Sequence, residues 1–342
     1  MKAVPPQGQP WLVSARFDLF AYSAITLYSA VLVLALGRSV EPTAIFFWFN
    51  IVFTIAHYAP TWSRAFLDRA VFKQNRWQIL LFPPAFFLFA WATAKSPQAL
   101  AFVLYFWDRA HALLQNYGFL RLYEARANKG QPVVSPNAER ALLFSGALLT
   151  MSFNYGLVTQ PLGVLAGLGV PLPLTNAFSV SLRAVFGIAT ALSVGWYGVQ
   201  LWRGAKNGKP VNVPKLVFLG SMFGGHALMN LTSNIFLLSA HEKVYHSVQY
   251  LVLSQQYSAR RATTAKKGEL TPWFSRLTQV PLFALFVICW TVGAFLIANH
   301  FGGAALVTTV PFNAVLGGVA LTHYFFDSFL WRVRRPEVTA NL

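Results

Sequence analysis

Six of the seven histidines in this chain, His57, His111, His226, His241, His246 and His323, lie inside or at the edge of long apolar segments. An imidazole in hydrocarbon is costly, so histidines there face a cavity or a partner and commonly carry function. Neutral imidazole is also the commonest metal ligand in proteins, so several histidines meeting from different helices would make a metal site. The seventh, His300, sits in a short loop (ANHFGG) and is read as incidental.

The neighbours of these histidines suit that chemistry. On a helix, Asp108 at i−3 and Gln115 at i+4 share the face of His111, and Asp327 at i+4 shares that of His323. Metal-bound imidazoles usually give their second N–H to a carboxylate or carbonyl, which is the role expected of Asp108 and Asp327. Asp108 also has a neighbour of opposite charge in Arg109, but adjacent residues do not face each other on a helix. His241 and His246 are five residues apart, about 140° around a regular helix, so both reach one ion only if the helix is distorted. His246, with Gln249 and Tyr250 one turn on, is the better candidate, and His241 is read as a boundary residue.

The elements that must hold these residues follow from composition. The chain is 56% hydrophobic and 11% charged, with mean hydropathy +0.49. Soluble domains carry about 25% charged residues, so the expectation is an all-α polytopic membrane bundle. A spanning helix needs about 20 apolar residues, and ten candidates appear, at 17–37, 43–62, 77–95, 98–120, 140–158, 178–202, 214–239, 241–259, 278–298 and 305–331. The segment 159–174 is broken by Pro161, Pro171 and Pro173 and reads as a loop on or in the membrane. The first apolar run lacks a following small-residue cleavage site and is expected to stay as a membrane helix.

Basic residues cluster in alternate connections: Lys2 and Arg16; Arg64 to Arg76; Arg121 to Arg140; Arg203 to Lys215; Arg260 to Arg276; Arg332 to Arg335. The opposite connections hold only Arg38, Lys95 and Lys243. Cytoplasmic loops carry the excess of Lys and Arg, so both termini are expected in the cytoplasm. The expectation is one integral membrane domain over 1–342, with a cytoplasmic segment 1–16 and a basic cytoplasmic loop 260–276, in a bacterial inner membrane. The net charge of +17 is spread among these loops instead of forming one stripe, which argues against nucleic acid. The single cysteine, Cys289, excludes an internal disulfide and any CxxC motif and is expected in the core.

Measured along the helices from the nearest basic cytoplasmic residue, His57, His111, His226 and His323 lie about 10–16 Å deep, and His246 about 21 Å. The first four share a layer in the cytoplasmic half of the membrane, which His246 joins if its helix tilts or extends. For one such histidine a hydrogen bond between helices is the simpler explanation; for four or five at similar depth a shared site is preferred.

At these residues the sequence resembles the Brp/Blh-type membrane β-carotene dioxygenases. The likeness rests on His323-Tyr-Phe-Phe-Asp327 with the exit Phe329-Leu330-Trp331-Arg332, on His241-Glu-Lys-Val-Tyr-His246, on His111-Ala-Leu-Leu-Gln115 and on His57-Tyr-Ala-Pro. It implies iron(II) held by histidines, dioxygen, and a polyene cleaved inside the membrane. The chain departs from the family in the spacing of His241 and His246, in Gln115 where an acid is expected, and around His57, which lacks the family's glycine and aspartate.

The expected function is therefore a membrane non-haem iron oxygenase acting on a lipid-soluble polyene, isoprenoid or fatty substrate, with Asp108, Gln115, Tyr250 and Asp327 beside the metal. The alternatives are a b-type haem protein, in which Gly224-Gly225 and Gly317-Gly318 admit a flat macrocycle, and a transporter or assembly subunit. Against transport, no internal repeat is visible.

Overall fold

The computed structural model describes residues 10–128, 132–153, 176–300 and 310–332, with isolated positions at 163, 165, 166, 338 and 341. Among the described residues the chain is all helical, with one isolated bridge between Asp68 and Leu270. The expected broken loop at 159–174 lies almost wholly outside the described residues.

The helices are α1 (Ala15–Leu36), α2 (Pro42–Leu67), α3 (Arg69–Gln74), α4 (Arg76–Ala94), α5 (Pro97–Asn128) and α6 (Pro136–Ser152). They continue as α7 (Asn176–Lys206), α8 (Val213–Met229), α9 (Ile235–Thr264), α10 (Pro272–Arg276), α11 (Val280–His300) and α12 (Val310–Leu330). Four segments, Ala15–Leu36, Pro42–Leu67, Arg76–Ala94 and Ala177–Lys206, are long and apolar enough to cross a membrane. They carry apolar side chains outward, among them Leu81, Leu88, Ile188 and Leu192. A large exposed apolar surface of this kind fits an integral membrane protein.

Three sequence expectations change. The span expected at 214–239 is interrupted: α8 ends at Met229 and α9 starts at Ile235. The cause is local, because the Asn234 carboxamide accepts the amides of Phe236 and Leu237 and so caps a new helix. Cys289, expected in the core, is exposed. Several basic residues counted as loop charges, namely Arg64, Lys215 and Lys243, are instead buried.

The chain divides into two compact units. The first comprises residues 1–39, 113–159 and 173–241, built on α1, α6, α7 and α8. In it α8 packs on α1 through Gly225, where an added Cβ would lie 2.8 Å from the Thr26 carbonyl oxygen. Small residues let helix backbones approach this closely in membranes. Lys215 pairs with both Glu124 and Glu139, and Arg121 also reaches Glu139.

The second unit comprises residues 40–112, 160–172 and 242–342. Here α12 packs on α4, with Gly318 against the ring of Phe87 and Gly317 against Leu100 and Ala90. The faces that both glycine pairs offered to a macrocycle are thus filled by neighbouring helices. The basic segment 260–276 is pinned by Arg261, which bridges Asp68 and Glu269. Hydrogen bonding from the Lys266 amide, with Arg261 beside it, holds the Glu269 carboxyl below the usual range.

Candidate metal centre

Four histidines of the second unit, each on a different helix, meet at a common point: His57 on α2, His111 on α5, His246 on α9 and His323 on α12. Residues 50–55, just before His57, are wound as a π-helix, a distortion frequent at functional sites. Pro60 follows within the same helix and removes one backbone donor.

The rings form a closed cycle. His57 contacts His246 and His323 at centroid distances of 5.0 and 4.5 Å, and His111 contacts the same two at 5.0 Å each. All four contacts are close to perpendicular, at 74–86°. The Nε2 atoms of His57 and His323 are 2.9 Å apart. Ligand atoms of His57, His111 and His246 lie within 4.8 Å of one another, and so do those of His111, His323 and Asp327. Two nitrogens each about 2.1 Å from one ion, and about 90–110° apart at it, would be about 3.0–3.4 Å from each other.

The four side chains are buried, His323 completely. His111 Nε2 is buried and has no hydrogen-bond partner, which costs about 1–3 kcal/mol in an apolar interior unless something satisfies it. The donor set of four imidazoles beside one carboxylate suits a transition metal.

Polar groups flank the rings on two sides. One turn on from His57, His246 and His323 stand Thr61, Tyr250 and Asp327. Asp327 Oδ1 accepts hydrogen bonds from Thr61 (2.9 Å) and Tyr250 (2.8 Å), and Trp331 Nε1 donates to the Tyr250 hydroxyl at 2.9 Å. The other oxygen, Oδ2, lies 3.6 Å from His323 Nε2 and 3.8 Å from His111 Nε2. Thr61 Oγ1 is 2.8 Å from His323 Nδ1, and Ser247 Oγ is 3.2 Å from His57 Nδ1.

Before His111 and His246 stand two ion pairs. Asp108 pairs with Lys243 at 2.5 Å and accepts from Tyr324 at 2.8 Å, while Arg109 pairs with Glu242. Asp108 and Arg109 thus engage a different helix and not each other, as their adjacency requires.

The sequence-predicted residues therefore separate. His57, His111, His246, His323, Tyr250 and Asp327 come together; Asp108, expected to take the second N–H of His111, bonds Lys243 and Tyr324 instead, and the Nδ1 of His323, expected to serve Asp327, meets Thr61. His226 and His241, expected as further ligands, belong to the first unit and face each other there at 5.6 Å. His226 Nδ1 is 2.7 Å from the Met222 carbonyl, and His241 Nδ1 is 2.8 Å from Ser29 Oγ. Gln115 also falls in the first unit. Sequence reasoning missed Thr61, Ser247 and Trp331, and it placed Lys243 in a loop; the one available signal was Thr61 at i+4 from His57.

Comparison with known protein families, characterised proteins and solved structures found nothing that matches this chain.

Proposed function

We propose that this protein is a membrane-embedded, histidine-ligated iron oxygenase acting with dioxygen on a lipid-soluble polyene, isoprenoid or fatty substrate. The observation that carries the reading is the closed cycle of four buried imidazoles from four helices, with the His57 and His323 Nε2 atoms at 2.9 Å. His57, His111, His246 and His323 would hold iron(II), with Asp327 Oδ2 beside them. When bound, the ion supplies the electrons that activate dioxygen.

The chain's own residues prepare that chemistry. Thr61, Tyr250 and Trp331 fix the Asp327 carboxylate, and the ion pairs Asp108–Lys243 and Arg109–Glu242 tie α5 to α9 beside the ligands. The apolar helices exclude water and admit a hydrophobic substrate from the bilayer. The proposal includes about ten spans, as the hydropathy pattern suggests, with both termini cytoplasmic and residence in a bacterial inner membrane. It also includes kinship with the Brp/Blh-type dioxygenases.

A b-type haem fits less well. The glycine faces that would admit a macrocycle are covered, Gly224 and Gly225 by Leu27 and Thr26, and Gly317 and Gly318 by Leu100, Ala90 and Phe87. Oxygen uptake by the purified protein loaded with iron(II), measured with and without a β-carotene or fatty-acid substrate, tests the proposal. Substrate-dependent uptake abolished by iron chelation supports it, and uptake unaffected by chelation refutes it.

A further inference from the structure

We propose that Arg64 anchors a carboxylate-binding site, one that takes the acid head group of a fatty-acid-type molecule beside the histidine cluster. The proposal rests on the metal reading above only for the use of the bound acid, and not for the binding itself. It narrows the substrate to one that ends in a carboxylate.

Four basic side chains are buried among the described residues: Arg64, Lys215, Lys243 and Arg261. Three of them pair with acids, Lys215 with Glu124 and Glu139, Lys243 with Asp108, and Arg261 with Asp68 and Glu269. Arg64, only 2% exposed, pairs with no acid among the described residues, and its Nε and Nη1 atoms have no hydrogen-bond partner. Its surroundings are aromatic. The guanidinium carbon lies 3.9 Å from the ring centre of Tyr257 and 4.2 Å from that of Trp331, in the corner where these rings meet at 74°. Aromatic faces attract a cation, but they do not answer the N–H groups at its edge, and a buried charge without a counter-charge is strongly disfavoured. Asp327, one turn before Trp331, is engaged elsewhere: Oδ1 accepts from Thr61 and Tyr250, and Oδ2 faces His111 and His323.

The chemistry that answers these groups is specific. A guanidinium only donates, so the ligand must accept. One unpaired positive charge calls for one negative charge, which a carboxylate carries. A further donor lies on the same side: Ser254 Oγ, buried and without a hydrogen-bond partner, is one turn from both Tyr250 and Tyr257 on α9. Trp331 stands just past the end of α12 and is partly exposed, so its ring is the wall that yields to an entering head group. Arg64 follows His57 by two turns of α2, about 10 Å along the axis. A head group held at Arg64 thus starts its apolar chain close enough for a carbon along that chain to reach the histidines.

The test measures binding of radiolabelled oleate to the full-length, metal-free protein in maltoside micelles, with unlabelled oleate, oleyl alcohol, acetate and phosphatidylglycerol as competitors. Oleate is expected to bind, and to be displaced by itself far better than by oleyl alcohol, which lacks the charge, or by acetate, which lacks the chain. Arg64→Gln is expected to lower oleate affinity about 10–100-fold, and Arg64→Lys, which keeps the charge, to recover part of that loss. Ser254→Ala is expected to lower it about 2–10-fold. No oleate binding, equal binding by folded Arg64→Gln, or equal displacement by oleyl alcohol would overturn the proposal. If Arg64→Gln does not fold, unchanged affinity in Ser254→Ala overturns it. Displacement by phosphatidylglycerol as strong as by oleate would overturn the carboxylate assignment in favour of a phospholipid head group. A protein that binds oleate through Arg64 but retains no iron(II) when loaded loses the metal reading and keeps this site; one that retains iron(II) and binds no oleate does the reverse.

Discussion

His57 and His323, 266 residues apart in sequence, present their Nε2 atoms to each other at 2.9 Å. With His111 and His246 closing the cycle, truncating one imidazole removes one proposed ligand without removing a packed helix. His111→Ala and His323→Ala are expected to lose bound metal, with affinity lowered at least about 10-fold, while the helical circular dichroism of the purified protein is retained. Full metal content in either variant, by elemental analysis, would exclude that residue as a ligand.

Asp108 and Lys243 precede the proposed ligands His111 and His246 by three residues each, and their pair ties α5 to α9. Asp108→Asn and Lys243→Met are each expected to lower both thermal stability and metal affinity. A double-mutant cycle should return a coupling of about 1–3 kcal/mol. Strict additivity of the two variants would show that the pair sets nothing.

How much of this was legible in the sequence depends on where each residue's partner lies. Asp108 and Asp327 could be placed beside their histidines because the helical period fixes neighbours at i−3 and i+4. The role of Thr61 was not legible, because it is defined by His323 and Asp327 on another helix. The alternation of basic residues misjudged Lys215 and Lys243, since a basic side chain reads as a loop charge until its buried acid is known: Glu124 and Glu139 for the first, Asp108 for the second. The break at 230–234 was hidden because the apolar pattern runs on through it, and only the Asn234 cap marks where the next helix starts.

Glycine packing makes a further prediction in the first unit. Gly225→Ala places a methyl 2.8 Å from the Thr26 carbonyl oxygen, whereas Gly220→Ala meets nothing within 4 Å. Gly225→Ala is expected to cost about 1–3 kcal/mol, and Gly220→Ala to be neutral or slightly stabilising, because alanine is the better helix former. Equal melting temperatures for the two variants would contradict the close approach of α8 to α1.

Lys215 neutralises two buried carboxylates in the same unit. Lys215→Met should destabilise the protein by about 3–5 kcal/mol, since it leaves buried charge uncompensated. The triple variant Lys215→Met, Glu124→Gln, Glu139→Gln should recover part of that loss. Thermal unfolding in detergent measures both, and a single variant as stable as wild type would contradict the pairing.

The central claim is tested most directly by X-ray absorption at the iron edge on the purified, iron-loaded protein. The account predicts an inner shell dominated by about four imidazole nitrogens near 2.1 Å, losing nitrogen scattering in His111→Ala. A protein that retains no iron, or a spectrum with a Soret band and a planar porphyrin shell, would contradict it.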